Sequence, residues 1–207
     1  MGHHVPMTLR PGDPAPDFTL QDTHGTPVHL ADLHGEPVLI VFYPFAFSGI
    51  CTGELCELRD NIEDFETAGV RLLAVSTDSV FTLKAWQQQE GFSFDLLSDF
   101  WPHGEVARAY GVLDEQNGHA LRGSFLVDAD GVIRWCVVNG RGQRREISRC
   151  TARRSRRSDS RTLGIRAPRA REQGPVAQLV ERHVYTVDVV GSNPAGPTTR
   201  ASGSDLC

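Results

Sequence analysis

The run Pro37 to Tyr43 (PVLIVFY) is continuously apolar up to the hydroxyl of its last residue. A strand of that composition is buried on both faces, so it belongs to a sheet covered above and below. Val70 to Ser76 (VRLLAVS) reads as a second buried strand. Between them, Leu55, Leu58, Ile62 and Phe65 recur at spacings of three and four, which places a helix from about Cys51 to Ala68, ended by Gly69. A helix over Ser79 to Glu90, stopped by Gly91, leads to a short strand at Phe94 to Leu97, and a short helix covers Gly104 to Ala109. Strands alternating with helices make a βαβ core. Two hairpins flank it. One pairs Asp17–Leu20 with Val28–Leu30 about a turn at His24-Gly25. The other pairs Leu121–Val127 with Val132–Val138 about Asp128-Ala-Asp-Gly131. The expected fold class is α/β, a mixed central sheet flanked by helices with an N-terminal β-hairpin.

Composition narrows the setting. The 207 residues are 40% hydrophobic, and no stretch approaches the ~20 apolar residues of a membrane span. Met1 to Pro16 lacks an apolar signal core, so a cytoplasmic location and no membrane partner are expected. The five cysteines, Cys51, Cys56, Cys136, Cys150 and Cys207, are odd in number and scattered, unlike a secreted disulfide framework. The histidines and cysteines show no metal-ligand spacing, and no glycine-rich phosphate loop is present, so no cofactor is expected.

The informative segment is Phe42 to Asp60, FYPFAFSGICTGELCELRD. A buried strand ends at Pro44, a loop follows, and Cys51 lands in the first turn of the next helix. Unpaired backbone N–H groups and the helix dipole favour an anion there, and the thiolate is the nucleophilic form of cysteine. Ser48 can offer a hydroxyl to the sulfur or to an incoming substrate. Pro44 adds bulk without an N–H donor and would shield the sulfur from water. Arg122 opens a later strand, and its guanidinium could hold the thiolate and polarise a departing oxygen. Glu54, one turn into the helix, could orient that guanidinium. A glutamate in a first turn is favourable in any case. Phe47 and Trp101 are read as pocket, dimer-contact or core residues, and Cys136 as a strand residue without redox work.

Pro44-x3-Ser48-x2-Cys51 resembles the active-site signature of peroxiredoxins, and Arg122-Gly-Ser-Phe125 resembles the strand carrying their active-site arginine. Pro14-Ala-Pro-Asp-Phe18 and Leu97-Ser-Asp-Phe-Trp-Pro-His103 extend the match to roughly residues 9–140. Together these segments look most like the actinobacterial one-cysteine subfamily, the alkyl hydroperoxide reductase E group. The resemblance implies a thioredoxin-like fold and a thiol peroxidase. Its Cys51 would reduce a hydroperoxide substrate and become a sulfenic acid, and a homodimer is implied as well. Cys56 makes a Cys-x4-Cys pair that resembles the bacterioferritin comigratory protein branch, where the second cysteine resolves the first. Two routes stay open: resolution by Cys56, or by an external thiol reductant (mycothiol with mycoredoxin, or thioredoxin). Five residues of helix separate the two cysteines by a rise of about 7.5 Å and a rotation of about 140°. A disulfide needs Cα atoms within about 4.4–6.8 Å, so the internal route requires the helix to unwind. Cys56 could equally be a small buried hydrophobe.

The pattern stops after Asn139. Residues 1–140 carry 7 Lys+Arg against 20 Asp+Glu; residues 141–207 carry 14 arginines, no lysine and 6 acidic residues. The domain is therefore expected at residues 9–140, with 141–207 an arginine-rich tail, disordered or out of frame. Gly174 to Arg200 looks like the conceptual translation of a transfer-RNA gene, and the C-terminal helix that peroxiredoxins pack on the sheet is expected to be missing. The rival is a real basic tail on a non-catalytic redox sensor or nucleic-acid-associated protein. That explains the charge but not the final segment, so nucleic acid is not the expected partner. An intact frame on resequencing the coding DNA would refute the slip.

Overall fold

The structure is a computed structural model and describes residues 9–139 and 175–186. A seven-stranded sheet forms its centre. Strand β3 (Val38–Phe42) pairs in parallel with β4 (Arg71–Ser76), which pairs in parallel with β5 (Asp95–Ser98). The antiparallel hairpin β8 (Arg122–Val127) and β9 (Ile133–Asn139) joins at β3. On the far side, the hairpin β1 (Thr19–Gln21) and β2 (Pro27–His29) joins at β5. The mixed α/β sheet and both expected hairpins are therefore present.

Every residue of β3 is buried, and its side chains alternate between two cores. Leu39, Val41 and Tyr43 meet α1 (Gly49–Asp60), α2 (Ile62–Thr67) and α3 (Val80–Glu90) through Leu55, Leu58, Phe65, Leu83 and Trp86. Val38, Ile40 and Phe42 meet α4 (Glu105–Ala109) and the N-terminal segment through Val106, Tyr110 and Phe18. Ser79 caps α3 by accepting from the Thr82 amide at 3.3 Å, and Gly91 ends it in the left-handed conformation, φ 69°.

Three differences from the sequence reading emerge. The helix expected over Cys51–Ala68 begins two residues earlier and breaks at Asn61, whose side chain donates to the Glu57 carbonyl and competes with the helix ladder. A two-residue hairpin, β6 (Leu113–Asp114) with β7 (His119–Ala120), was not foreseen. The third is a correction: a C-terminal helix, expected to be missing, is present as α5 (Pro175–Thr186), and it packs on α1 and β8. Proline suits a first helical position, and Val176, Ala177, Leu179 and Val180 form one apolar face. That short period was hidden by the polar composition around it. Residues 140–174 and 187–207, which carry most of the expected arginine-rich or out-of-frame tail, lie outside the described residues.

Candidate active site

Strand register builds the site. β3 and β8 run antiparallel with Phe42 opposite Gly123, so Arg122 begins β8 beside the end of β3. That end is where the chain leaves through Tyr43 and Pro44 toward α1. Gly123 lets Val112 pack close against β8: a Cβ there would lie 2.9 Å from Val112 Cγ1. Ser48 is the N-cap of α1, which puts Cys51 in the first turn, 1% exposed.

Arg122 Nη2 stands 3.9 Å from Cys51 Sγ, within donating distance of a sulfur. Its Nε lies 3.3 Å from Glu54 Oε2, with both side chains partly buried. One guanidinium therefore faces a sulfur in the first turn of a helix and a carboxylate in the next turn. A thiolate placed there would face a permanent cation whose planar nitrogens also suit an oxyanion.

Residues 11–136 match the AhpC/TSA family. The chain belongs to that family. It is 49% identical over 139 residues to alkyl hydroperoxide reductase E of Mycobacterium tuberculosis, an alignment covering 67% of this chain and 91% of the relative. It is 41% identical over 131 residues to peroxiredoxin Bcp of Escherichia coli K12, covering 60% and 83%. Among solved structures, peroxidoxin BcpB from M. tuberculosis superposes with a TM-score of 0.59 at 32% identity, covering 63% of this chain and 86% of that one. The fold is therefore the thioredoxin-like one of peroxiredoxins, and the activity is that of a thiol peroxidase.

The remaining expected residues of this peroxiredoxin fall as follows. Pro44 is half-buried, two residues after the end of β3. Ser48 does not reach the sulfur: its hydroxyl donates to the Phe45 carbonyl at 3.1 Å, and its own carbonyl accepts from the Thr52 amide and hydroxyl, each at 2.9 Å. Cys56 lies on α1, half-buried, and donates to Glu90 Oε2 at 3.7 Å. Burial pushes its thiol up, the Glu90 carboxylate adds to the rise, and Arg59 opposes it. Phe47 and Trp101 are not core residues, being 48% and 82% exposed, while Cys136 is buried on β9.

Two features escaped the sequence reading. Asp78, in the loop after β4, anchors the Cys51 loop: its Oδ2 accepts from the Ala46 amide at 2.8 Å and from the Ser76 hydroxyl at 2.9 Å. Its only signal is a Ser-Thr-Asp-Ser stretch at the end of a buried strand. Phe47 adopts φ 60°, a left-handed conformation unusual for a bulky residue, within the loop that delivers the chain to α1. Tyr43, beside the site, stays a neutral phenol. Burial drives its ionisation far above the ordinary value; the Ser76 hydroxyl opposes this, and the charges of Asp78 and Cys51 add to the rise.

Proposed function

We propose that Cys51 is the peroxidatic nucleophile and that Arg122, Glu54, Ser48 and Pro44 serve it. The Cys51 thiolate attacks the distal oxygen of a hydroperoxide, hydrogen peroxide or an organic one. An S–O bond forms, the O–O bond breaks, and the sulfur becomes a sulfenic acid. The departing alkoxide or hydroxide gathers negative charge next to the Arg122 guanidinium, takes up a proton and leaves as alcohol or water. Glu54 holds the guanidinium at the required angle, Pro44 limits water at the sulfur, and the Ser48 hydroxyl turns from Phe45 to the bound peroxide.

Cys56 then resolves the sulfenic acid. Its sulfur attacks Cys51, the S–S bond forms, the S–O bond breaks, and water leaves with the thiol proton. The first turns of α1 must open for this. Gly49 and Gly53 lie within them, and glycine lowers the cost of leaving a helix by about 1 kcal/mol each. An external thiol reductant (thioredoxin, or mycothiol with mycoredoxin) closes the cycle in the cytoplasm. The same end of the sheet supports a homodimer contact. The segments after β3, β4 and β5 expose Phe45, Phe47, Phe81, Phe100 and Trp101 there. Among the described residues no helix is long and apolar enough to cross a membrane.

The observation that carries the proposal is the 3.9 Å approach of Arg122 to a cysteine in the first turn of a helix. Peroxide consumption with a thiol reductant should vanish in Cys51→Ser; equal rates in variant and parent would overturn it.

A further inference from the structure

Glu90 is the last residue of α3. A carboxylate at a helix C-terminus faces the negative end of the dipole, so its own helix gains nothing from it. Two of its partners are on α1. Cys56 donates to its Oε2 at 3.7 Å, and Arg59 Nη1 donates to its backbone carbonyl at 2.6 Å. Gln89 holds the other carboxylate oxygen at 3.0 Å. The turn of α1 that bears the second cysteine is thus fastened to α3 at one residue.

We propose that Glu90 is a latch on the resolving step: it keeps Cys56 docked on α3 as a protonated thiol and so sets how long the Cys51 sulfenic acid survives. The inference rests on the reading of Cys56 as the resolving thiol. Two consequences of the geometry support it. The contact needs the thiol proton, because a carboxylate accepts from S–H and repels S⁻. Joining Cys51 also requires the turns of α1 that carry the two cysteines to open, since helical residues five apart stand about 7.5 Å apart along the axis. That movement takes the Cys56 thiol off Glu90. The charged groups facing Cys56 are Arg59 and Asp60 on its own helix and Glu90 on α3. Only Arg59 favours the thiolate, and Asp60 and Glu90 both disfavour it. The latch gives an external thiol, or a second peroxide, time to reach the sulfenic acid first.

Glu90→Gln keeps the shape and an acceptor oxygen but removes the charge, and Glu90→Asp keeps the charge. In a Cys51→Ser background, the pH midpoint of Cys56 alkylation by iodoacetamide, read by peptide mass, should fall by about one unit in Glu90→Gln, the effect of one adjacent charge. It should fall less in Glu90→Asp. With Cys51 present, one equivalent of peroxide followed by acid quench should give the Cys51–Cys56 disulfide about threefold faster in Glu90→Gln. A tenfold gain in thiolate is partly offset by the weaker nucleophilicity of a less basic sulfur. The rate of Cys51 oxidation itself should not change. An unchanged midpoint and disulfide rate, in a protein that does form the disulfide, would sink the latch alone. A shifted midpoint with no disulfide in either protein would sink Cys56 as the resolving thiol, and the latch with it.

Discussion

A guanidinium 3.9 Å from one sulfur and 3.3 Å from one carboxylate can serve both only because its nitrogens are spread over a plane. Lysine offers a single charged nitrogen and must choose. Arg122→Lys should therefore lower kcat/KM for hydroperoxide by about 10²–10³, the cost of losing one donor aimed at developing charge. Stopped-flow peroxide reduction measures it, and a loss below about threefold would remove Arg122 from the transition state. The cysteine, the arginine and the glutamate were all legible in the sequence. Cys51 and Arg122 sit at the start of strongly patterned elements, Glu54 follows three residues after Cys51 on the same helix, and register then brings the elements together. Asp78 and Glu90 were not legible. They act from a loop and a helix end that no local pattern links to Cys51 or Cys56. Ser48 shows a subtler limit: its position at the N-cap could be read, but the rotamer that satisfies the Phe45 carbonyl could not.

At the scale of elements, the β8–β9 hairpin is the clearest case of turn chemistry read in advance. Asp128 Oδ1 accepts from the Asp130 amide at 3.0 Å and the Val132 amide at 2.8 Å, and Gly131 takes φ 77°. Burial pushes the Asp128 carboxyl up. Hydrogen bonds from Val132 and Arg134, then the charge of Arg134, outweigh this and hold it below the usual carboxylate range. A lowered folded value means that the unfolded chain binds the proton more readily. The stabilisation is therefore complete above about pH 5 and fades as pH falls through the unfolded value near 3.9 and then the folded one. Asp128→Ala should cost about 1–2 kcal/mol at pH 7, as hydrogen bonds to a charged acceptor do. The gap between parent and variant should narrow toward pH 3 in denaturant unfolding; a gap that is flat with pH would assign the loss to backbone conformation alone. Strands β3 and β4 were equally legible, since their apolar runs admit little else. The break at Asn61 and the two-residue pair β6–β7 were not, because segments that short carry no period to detect.

For the molecule as a whole, the question is what completes the second core. One face of the sheet is closed by α4 and the N-terminal segment. The other is closed by α1, α2 and α3, with α5 lying on α1 and β8. Val180 is fully buried there and Ala177 nearly so, in the cluster that also holds Cys51 and Leu55. α5 thus covers the helix whose opening the proposed resolving step requires. Val180→Asp places a charge in that contact, which the chain can avoid only by releasing α5. Val180→Ala should cost about 2–3 kcal/mol if the contact persists. Val180→Asp should cost no more than the whole docking energy of α5, and should increase binding of a hydrophobic dye, because apolar surface on α1 and β8 is then bare. Thermal unfolding and dye fluorescence on the full chain measure both. If neither variant alters the melting temperature, α5 contributes nothing to closing the core, and α1 and β8 suffice without it. If both lower it and Val180→Asp also speeds disulfide formation, then α1 is restrained from two sides, by Glu90 at its flank and by α5 across its face.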